Sequence, residues 1–113
     1  MRIADVIKAL SLRVICPPAD GEREITGVYV GDLLSRAMSR VQSGDLWITI
    51  MANKNVIAVA ELTDAAIVLL AEDVELSADA KTAAEENGIT VCSSAKSAYA
   101  LCLDAYGILK EAV

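Results

Sequence analysis

Histidine is absent from this chain and aromatic residues make up only 4% of it. Without an imidazole there is no serine–histidine or cysteine–histidine pair, no imidazole metal ligand and no ordinary near-neutral acid–base group. The cysteines, Cys16, Cys92 and Cys102, are odd in number and contain no C-x-x-C pair. That usage reads as small buried hydrophobes in a reducing compartment, not as a disulfide framework, redox pair or metal site. Long apolar runs are missing too. The longest, Ala65 to Ala71, covers seven residues, far below the ~20 needed to span a bilayer. Asp5 and Lys8 interrupt what would be a signal-peptide core at the N-terminus. The expected setting is the cytoplasm, without a membrane partner.

What is present is aliphatic. Of 113 residues, 55% are hydrophobic, and the mean hydropathy is +0.46. A chain of this size forms one domain, here residues 1–113, and needs no disulfide or metal to hold it. The net charge of −6 argues against nucleic acid or an anionic membrane surface as partner. The charge is uneven: residues 1–56 carry seven Lys/Arg against six Asp/Glu, and residues 57–113 carry three against ten. The acidic half reads as solvated helix faces.

Ile3, Val6, Ile7 and Leu10 recur at helical spacing and predict an opening helix. Leu12–Cys16 reads as a strand stopped by Pro17-Pro18, and Ile25–Val30 as a second strand ending at Gly31. Asp32 is placed to cap a helix whose apolar face holds Leu33, Leu34, Ala37, Met38 and Val41. Downstream come a strand at Leu46–Ile50, a helix at Val56–Leu62 capped by Asn53 or Asn55, and an apolar strand at Ala66–Leu70. A polar helix from Ser77 to Gly88, a strand at Ile89–Cys92 and a helix from about Lys96 to Glu111 follow. Strands alternating with helices predict an α/β fold with a mostly parallel central sheet flanked by helices.

The run Val28-Tyr29-Val30-Gly31-Asp32-Leu33-Leu34, then Gly44-Asp45-Leu46-Trp47-Ile48-Thr49-Ile50, with Gly88-Ile89-Thr90-Val91 downstream, resembles the DRTGG domain family. The resemblance covers roughly residues 2–110. It implies a fold like the N-terminal domain of HPr kinase and a non-catalytic regulatory role, since relatives are appended to phosphotransacetylases and CBS-domain pyrophosphatases. Stand-alone relatives encoded near iron-only hydrogenases imply an anaerobic, redox-linked setting. The signature itself is degraded. Met51-Ala52-Asn53-Lys54-Asn55 stands where the family has its Asp-Arg pair, and Ala71-Glu72-Asp73 where it has Thr-Gly-Gly.

In open parallel sheets ligands gather beyond the carboxyl ends of the strands. Those ends supply Asp32, Asn53, Lys54, Asn55, Glu72, Asp73, Ser93 and Ser94. They are candidates for a small anionic ligand such as a nucleotide held at helix N-termini; the plainer reading makes them caps and loop residues. No G-x-x-x-x-G-K-[ST] or G-x-G-x-x-G cradle occurs, and no metal spacing is evident among Asp32, Glu72 and Asp73. Arg36 and Arg40 form an i,i+4 ladder with Asp32, and Trp47 reads as core. No cofactor or catalytic group is called for. A small-molecule sensor is the alternative to a regulatory or protein-interaction module.

Two helices are apolar almost all round. In the last one Tyr99, Cys102, Leu103 and Tyr106 form one stripe, and Ala98, Leu101, Ala105, Ile108 and Ala112 a second. Val56 to Ala60 is apolar throughout. A helix of this kind expects burial on both sides, which predicts a homodimer through Val56, Val59, Leu101 and Ile108.

Overall fold

The structure, a computed structural model, describes residues 1–110. Its elements are α1 (Ile3–Ala9), β1 (Arg13–Cys16), β2 (Gly27–Val30), α2 (Leu34–Arg40), β3 (Asp45–Thr49), α3 (Lys54–Thr63), β4 (Ile67–Leu70), α4 (Ala78–Asn87), β5 (Val91–Ser93) and α5 (Ala98–Leu109). The final helix thus begins two residues later than the sequence suggests, and Glu111 and Ala112 lie outside the described residues.

The strands form a five-stranded sheet in the order β1-β5-β4-β3-β2. Pairings β2–β3, β3–β4 and β4–β5 are parallel, and β1 closes the far edge antiparallel to β5. The α/β, mostly parallel architecture read from the sequence is what forms. The edge strands β1 and β2 are partly exposed, while the central strands β3, β4 and β5 are buried from end to end. This is why they read as unbroken apolar runs instead of alternating ones.

Successive strand residues point to opposite faces, so one sheet feeds two cores. Leu46, Ile48, Ile67, Leu69 and Cys92 face one way, against Ile3, Val6 and Leu10 of α1 and Leu101, Ala105 and Leu109 of α5. Trp47, Val68, Leu70 and Val91 face the other way, against Ala37 of α2, Val56, Ile57, Val59 and Ala60 of α3, and Ala80 and Ala84 of α4. From β2 to β5 each strand lies beside its successor in sequence, so the three connecting helices pass over the same face, as crossovers of one hand require.

The helix ends follow local chemistry. Asn53 Oδ1 accepts the Asn55 and Val56 amides at 3.1 and 3.3 Å, capping α3. Ser97 Oγ accepts the Ala100 amide at 3.2 Å and caps α5. Gly88 ends α4 at φ +67°, a left-handed position natural to glycine. Gly44 takes φ +87° in the turn before β3, where a side chain would collide with Thr26 Oγ1.

Three expectations change. Val56, Val59 and Leu101 are at most 5% exposed within a single chain, and Ile108 packs partly buried against the same core as Leu101. They are core residues, not a free dimer surface. In the row of helices, α3 is flanked by α2 on one side and α4 on the other. Helices side by side bury their flanks as well as their inner faces, so a helix apolar all round needs no second protomer. Asp32, finally, does not cap α2: the residue before that helix is Leu33, and no side chain caps it.

Candidate functional site

Because β2 to β5 run parallel, their carboxyl ends share one rim. Asp32 lies beyond β2, Asn53, Lys54 and Asn55 beyond β3, Glu72 and Asp73 beyond β4, and Ser93 and Ser94 at the end of β5. The rim collects the residues the sequence pointed to. Asp32, Asn53 and Ser94 accept hydrogen bonds there through their side chains, whereas Lys54, Asn55, Glu72 and Asp73 make no side-chain hydrogen bond or ion pair among the described residues.

Asp32 reaches across to the neighbouring strand, where Oδ1 accepts the Thr49 hydroxyl and the Ile50 amide, both at 2.8 Å. Thr49 Oγ1 in turn accepts the Met51 amide at 3.1 Å. This chain of bonds fixes the turn after β3 and leaves Asp32 outside any ladder with Arg36 and Arg40. Trp47 is fully buried and donates its indole N–H to the Gly31 carbonyl at 3.0 Å, tying the β2 end to β3 from below. Lys54 lies close enough to Asp79 to help hold that carboxyl below its usual range, an effect led by the Ser77 hydroxyl, which donates to Asp79 at 2.7 Å.

A crevice belongs where neighbouring connections leave for opposite faces. Here that point is between β4, which leads to α4, and β5, which leads to α5. The structure seals it. The Glu72 amide donates to the Lys96 carbonyl (2.8 Å), the Asp73 amide to the Ser94 carbonyl (2.9 Å) and the Ser94 amide to the Leu70 carbonyl (2.9 Å). Glu72 and Asp73 reach this seam at φ +59° and +58°, a conformation that costs a side-chain-bearing residue roughly 1–2 kcal/mol. Among the described residues no buried side-chain polar atom lacks a partner, and no group of three or more potential metal ligands occurs.

The opposite rim holds a cavity of about 230 Å³ lined in part by Arg23, Asp64, Gly88 and Thr90. Arg23 is committed there. It grips Asp64 with two N–H groups at 3.1 and 2.9 Å, and Ser43 Oγ donates to Asp64 at 2.6 Å. Led by that hydroxyl, these contacts lower the Asp64 carboxyl below its ordinary range. Together they fasten the segment before β2 to the end of α3.

A larger hollow lies elsewhere, where no sequence pattern points directly. Between the end of α1 and the outer side of α5 runs an open trough of about 750 Å³. Ala9, Leu10, Leu103 and Ile108 give it apolar walls, and Ser11, Ser94, Lys96 and Asp104 a polar border. Lys96 Nζ meets Asp104 at 2.7 Å. Beside it Tyr99, Leu103 and Tyr106 stand 73%, 55% and 63% exposed. The heptad-like stripe on α5 was legible in the sequence. What was not legible is that α1 ends early enough to leave Leu103 uncovered.

No family model matches the chain, and no curated protein matches it. Among solved structures, it is similar to the CBS and DRTGG domains of the regulatory region of Clostridium perfringens pyrophosphatase, crystallised with the activator diadenosine tetraphosphate. The TM-score is 0.69 at 14% identity, over 90% of this chain and 44% of that one. The two share a fold. This chain spans less than half the length of that regulatory region.

The thiols are quiet. Burial pushes Cys92 up to about 12, and Cys16 and Cys102 are raised for the same reason, so none is a ready thiolate. No helix among the described residues is long and apolar enough to cross a membrane.

Proposed function

We propose that this chain is a regulatory, protein-interaction module of the DRTGG type, without catalysis of its own, acting by binding a protein partner or a second copy of itself. One contrast carries the reading: backbone hydrogen bonds close the crevice between β4 and β5 at the strand-end rim, while α5 offers Tyr99, Leu103 and Tyr106 to the outside. An enzyme or a tight small-molecule site needs free polar groups converging on a concavity; here the crevice between β4 and β5 is closed by backbone hydrogen bonds. The fold likeness to a regulatory region supports the reading. So do the left-handed Glu72 and Asp73, which keep a glycine-like backbone where the family carries Gly-Gly. A cytoplasmic setting follows from the cysteine usage, and a link to anaerobic redox metabolism rests on the resemblance alone.

The solved relative's nucleotide activator favours a second reading, a sensor that binds a small anionic ligand at the rim. Thermal-shift measurements with ATP and diadenosine tetraphosphate, with and without magnesium, separate the two. The module reading expects no shift beyond about 1 °C, since a ligand at 100 times its Kd would stabilise by about 2.7 kcal/mol. A rise of several degrees that is lost in Asn53→Ala or Lys54→Ala establishes the sensor instead. Self-association is read by light scattering, where a homodimer gives roughly twice 11.9 kDa.

A further inference from the structure

We propose that the free edge of β2 is the docking site for an extended segment of a partner protein. That segment adds a further strand to the sheet, with acidic side chains on one face and apolar side chains on the other. The inference rests on the interaction-module reading and names the surface and the partner's chemistry.

The two edges of the sheet are built differently. At β1 the register breaks between Val14 and Cys16, and Pro17-Pro18 follows at once; both features discourage pairing with another chain. β2 has neither a break nor a proline nor a charge: Gly27, Val28, Tyr29 and Val30 run in unbroken register with β3. Main-chain groups alternate along a strand between its two sides. The Gly31 amide donates to the Ile48 carbonyl at 3.2 Å, whereas the Asp45 and Thr49 carbonyls accept the Ala66 and Ala71 amides from the β4 side. With Val30 opposite Ile48, Tyr29 bonds to β3, and the N–H and C=O of Val28 and Val30 turn outward. The segment leading into β2 is already paired: the Ile25 amide donates to the Met1 carbonyl and the Ile3 amide to the Arg23 carbonyl, both at 2.8 Å. Above it, no strand among the described residues pairs with the outer side of β2, and Val30 is 44% exposed.

The helices on either face of this edge choose the occupant. On one face α5 packs on β2 and β3. Its Asp104 and Ile108 line the trough toward α1, so the opposite flank, with Tyr99 and Tyr106, lies over the edge. On the other face α2 turns Ala37 to the sheet. In a right-handed crossover the Met38 flank of α2 lies toward α3, and the Arg36 and Arg40 flank toward the edge. Neither arginine makes an ion pair among the described residues. α2 itself has no acidic residue, and the carboxylates at the ends of the edge are engaged. Asp32 holds Thr49 and Ile50, Glu24 holds the N-terminal amine, and the buried Asp45 holds the Gln42 amide. An added strand alternates its side chains between faces, so acidic residues meet Arg36 and Arg40 while apolar ones meet Tyr99 and Tyr106. A second copy is the poorer fit, because two-fold pairing of β2 with β2 sets Arg36 and Arg40 against their own counterparts. A small molecule is poorer still, since it brings no main-chain row to match the one on β2.

The test uses a fluorescein-labelled peptide that alternates valine and glutamate. Two matched copies accompany it, one with its main-chain amides N-methylated and one with lysine in place of glutamate. Anisotropy titration of the whole chain should show the parent peptide binding at least about tenfold tighter than either copy. Val30→Pro removes an outward N–H and leaves the pairing with β3 in place; it should weaken binding by about tenfold or more. Arg36→Glu with Arg40→Glu should reverse the preference between the glutamate and lysine peptides. Amide exchange at Val28 and Val30 should be fast in the free chain and slow in the complex. Circular dichroism verifies the fold of each variant; should Val30→Pro not fold, the N-methylated peptide decides. Equal binding of the parent and N-methylated peptides, no binding at all, or an unchanged preference in the arginine variant overturns the proposal. A concentration-dependent dimer abolished by Val30→Pro also overturns it, by assigning the edge to a second copy. That result would leave the module reading standing, whereas nucleotide binding at the rim would remove the module reading itself.

Discussion

On one side of the sheet α2, α3 and α4 stand shoulder to shoulder; on the other, α1 and α5 share the same width. Five strands span about 19–24 Å, and packed helices sit about 8–10 Å apart. Three helices cover that span and two barely do. The shortfall is sharpened by α1, whose seven residues extend only about 10 Å. The covered side shows how a small α/β chain buries an all-round apolar helix without oligomerising. The sparse side shows where the same chain leaves apolar surface over, at Tyr99, Leu103 and Tyr106.

The largest effect that would test this contrast comes from the sealed side. Trp47→Ala should destabilise by about 3–5 kcal/mol, because it opens a cavity under three helices and orphans the Gly31 carbonyl; denaturant unfolding measures it. On the sparse side two neighbours on α5 should part company. Leu101→Ala, in the buried stripe, should cost about 2–5 kcal/mol, while Leu103→Ala, more than half exposed, should stay within about 0.5 kcal/mol of the parent. Equal losses at the two positions would mean that the outer stripe is covered after all.

Asn53→Ala removes the two bonds that cap α3 and should cost about 1 kcal/mol. At the seam between the faces, Glu72→Gly and Asp73→Gly should each add about 0.5 kcal/mol, the relief of left-handed strain exceeding the entropy glycine adds to the unfolded chain. A loss in either variant would show that these side chains make contacts worth more than the strain.

The smallest effect is a pH slope. Asp45 is 6% exposed, and burial raises its carboxyl above the ordinary value, against a lowering by the Gln42 amide, which donates to it at 2.8 Å. Its folded pKa being the higher, the native state holds the proton more tightly. Asp45 therefore penalises folding progressively as pH climbs from the unfolded value through the folded one. Asp45→Asn should thus gain on the parent as pH rises above about 4 and match it below. Asp64 has the opposite sign: its carboxyl is lowered, so its contribution is complete above the ordinary value and lost as pH falls through the folded one.

Element order and the buried strands were legible because local pattern and burial agree: Ile67 to Leu70 is apolar in sequence and buried on both faces. The cap at Asn53 was legible because its partners lie two and three residues on. Asp32 misled because its partners, Thr49 and Ile50, sit on the neighbouring strand. The rim residues were found by position, but not their occupation, since the bonds from Glu72 and Asp73 run to Lys96 and Ser94 across a gap no local pattern reveals. Val56 and Val59 looked like an interface because periodicity reports that a helix is covered and not by what.

The antiparallel edge strand has a consequence for biosynthesis. Strands β2 to β5 each pair with a strand close behind them in the chain, so they assemble as the polypeptide lengthens. β1 is made first yet pairs last: Arg13 must wait for Ser93, and Cys16 for Val91. Until then the opening helix has no partner in α5 and Cys92 has no roof. On the ribosome, β1 therefore completes its sheet pairing only once residues 91–93 have emerged, a long loop closure that comes late in folding.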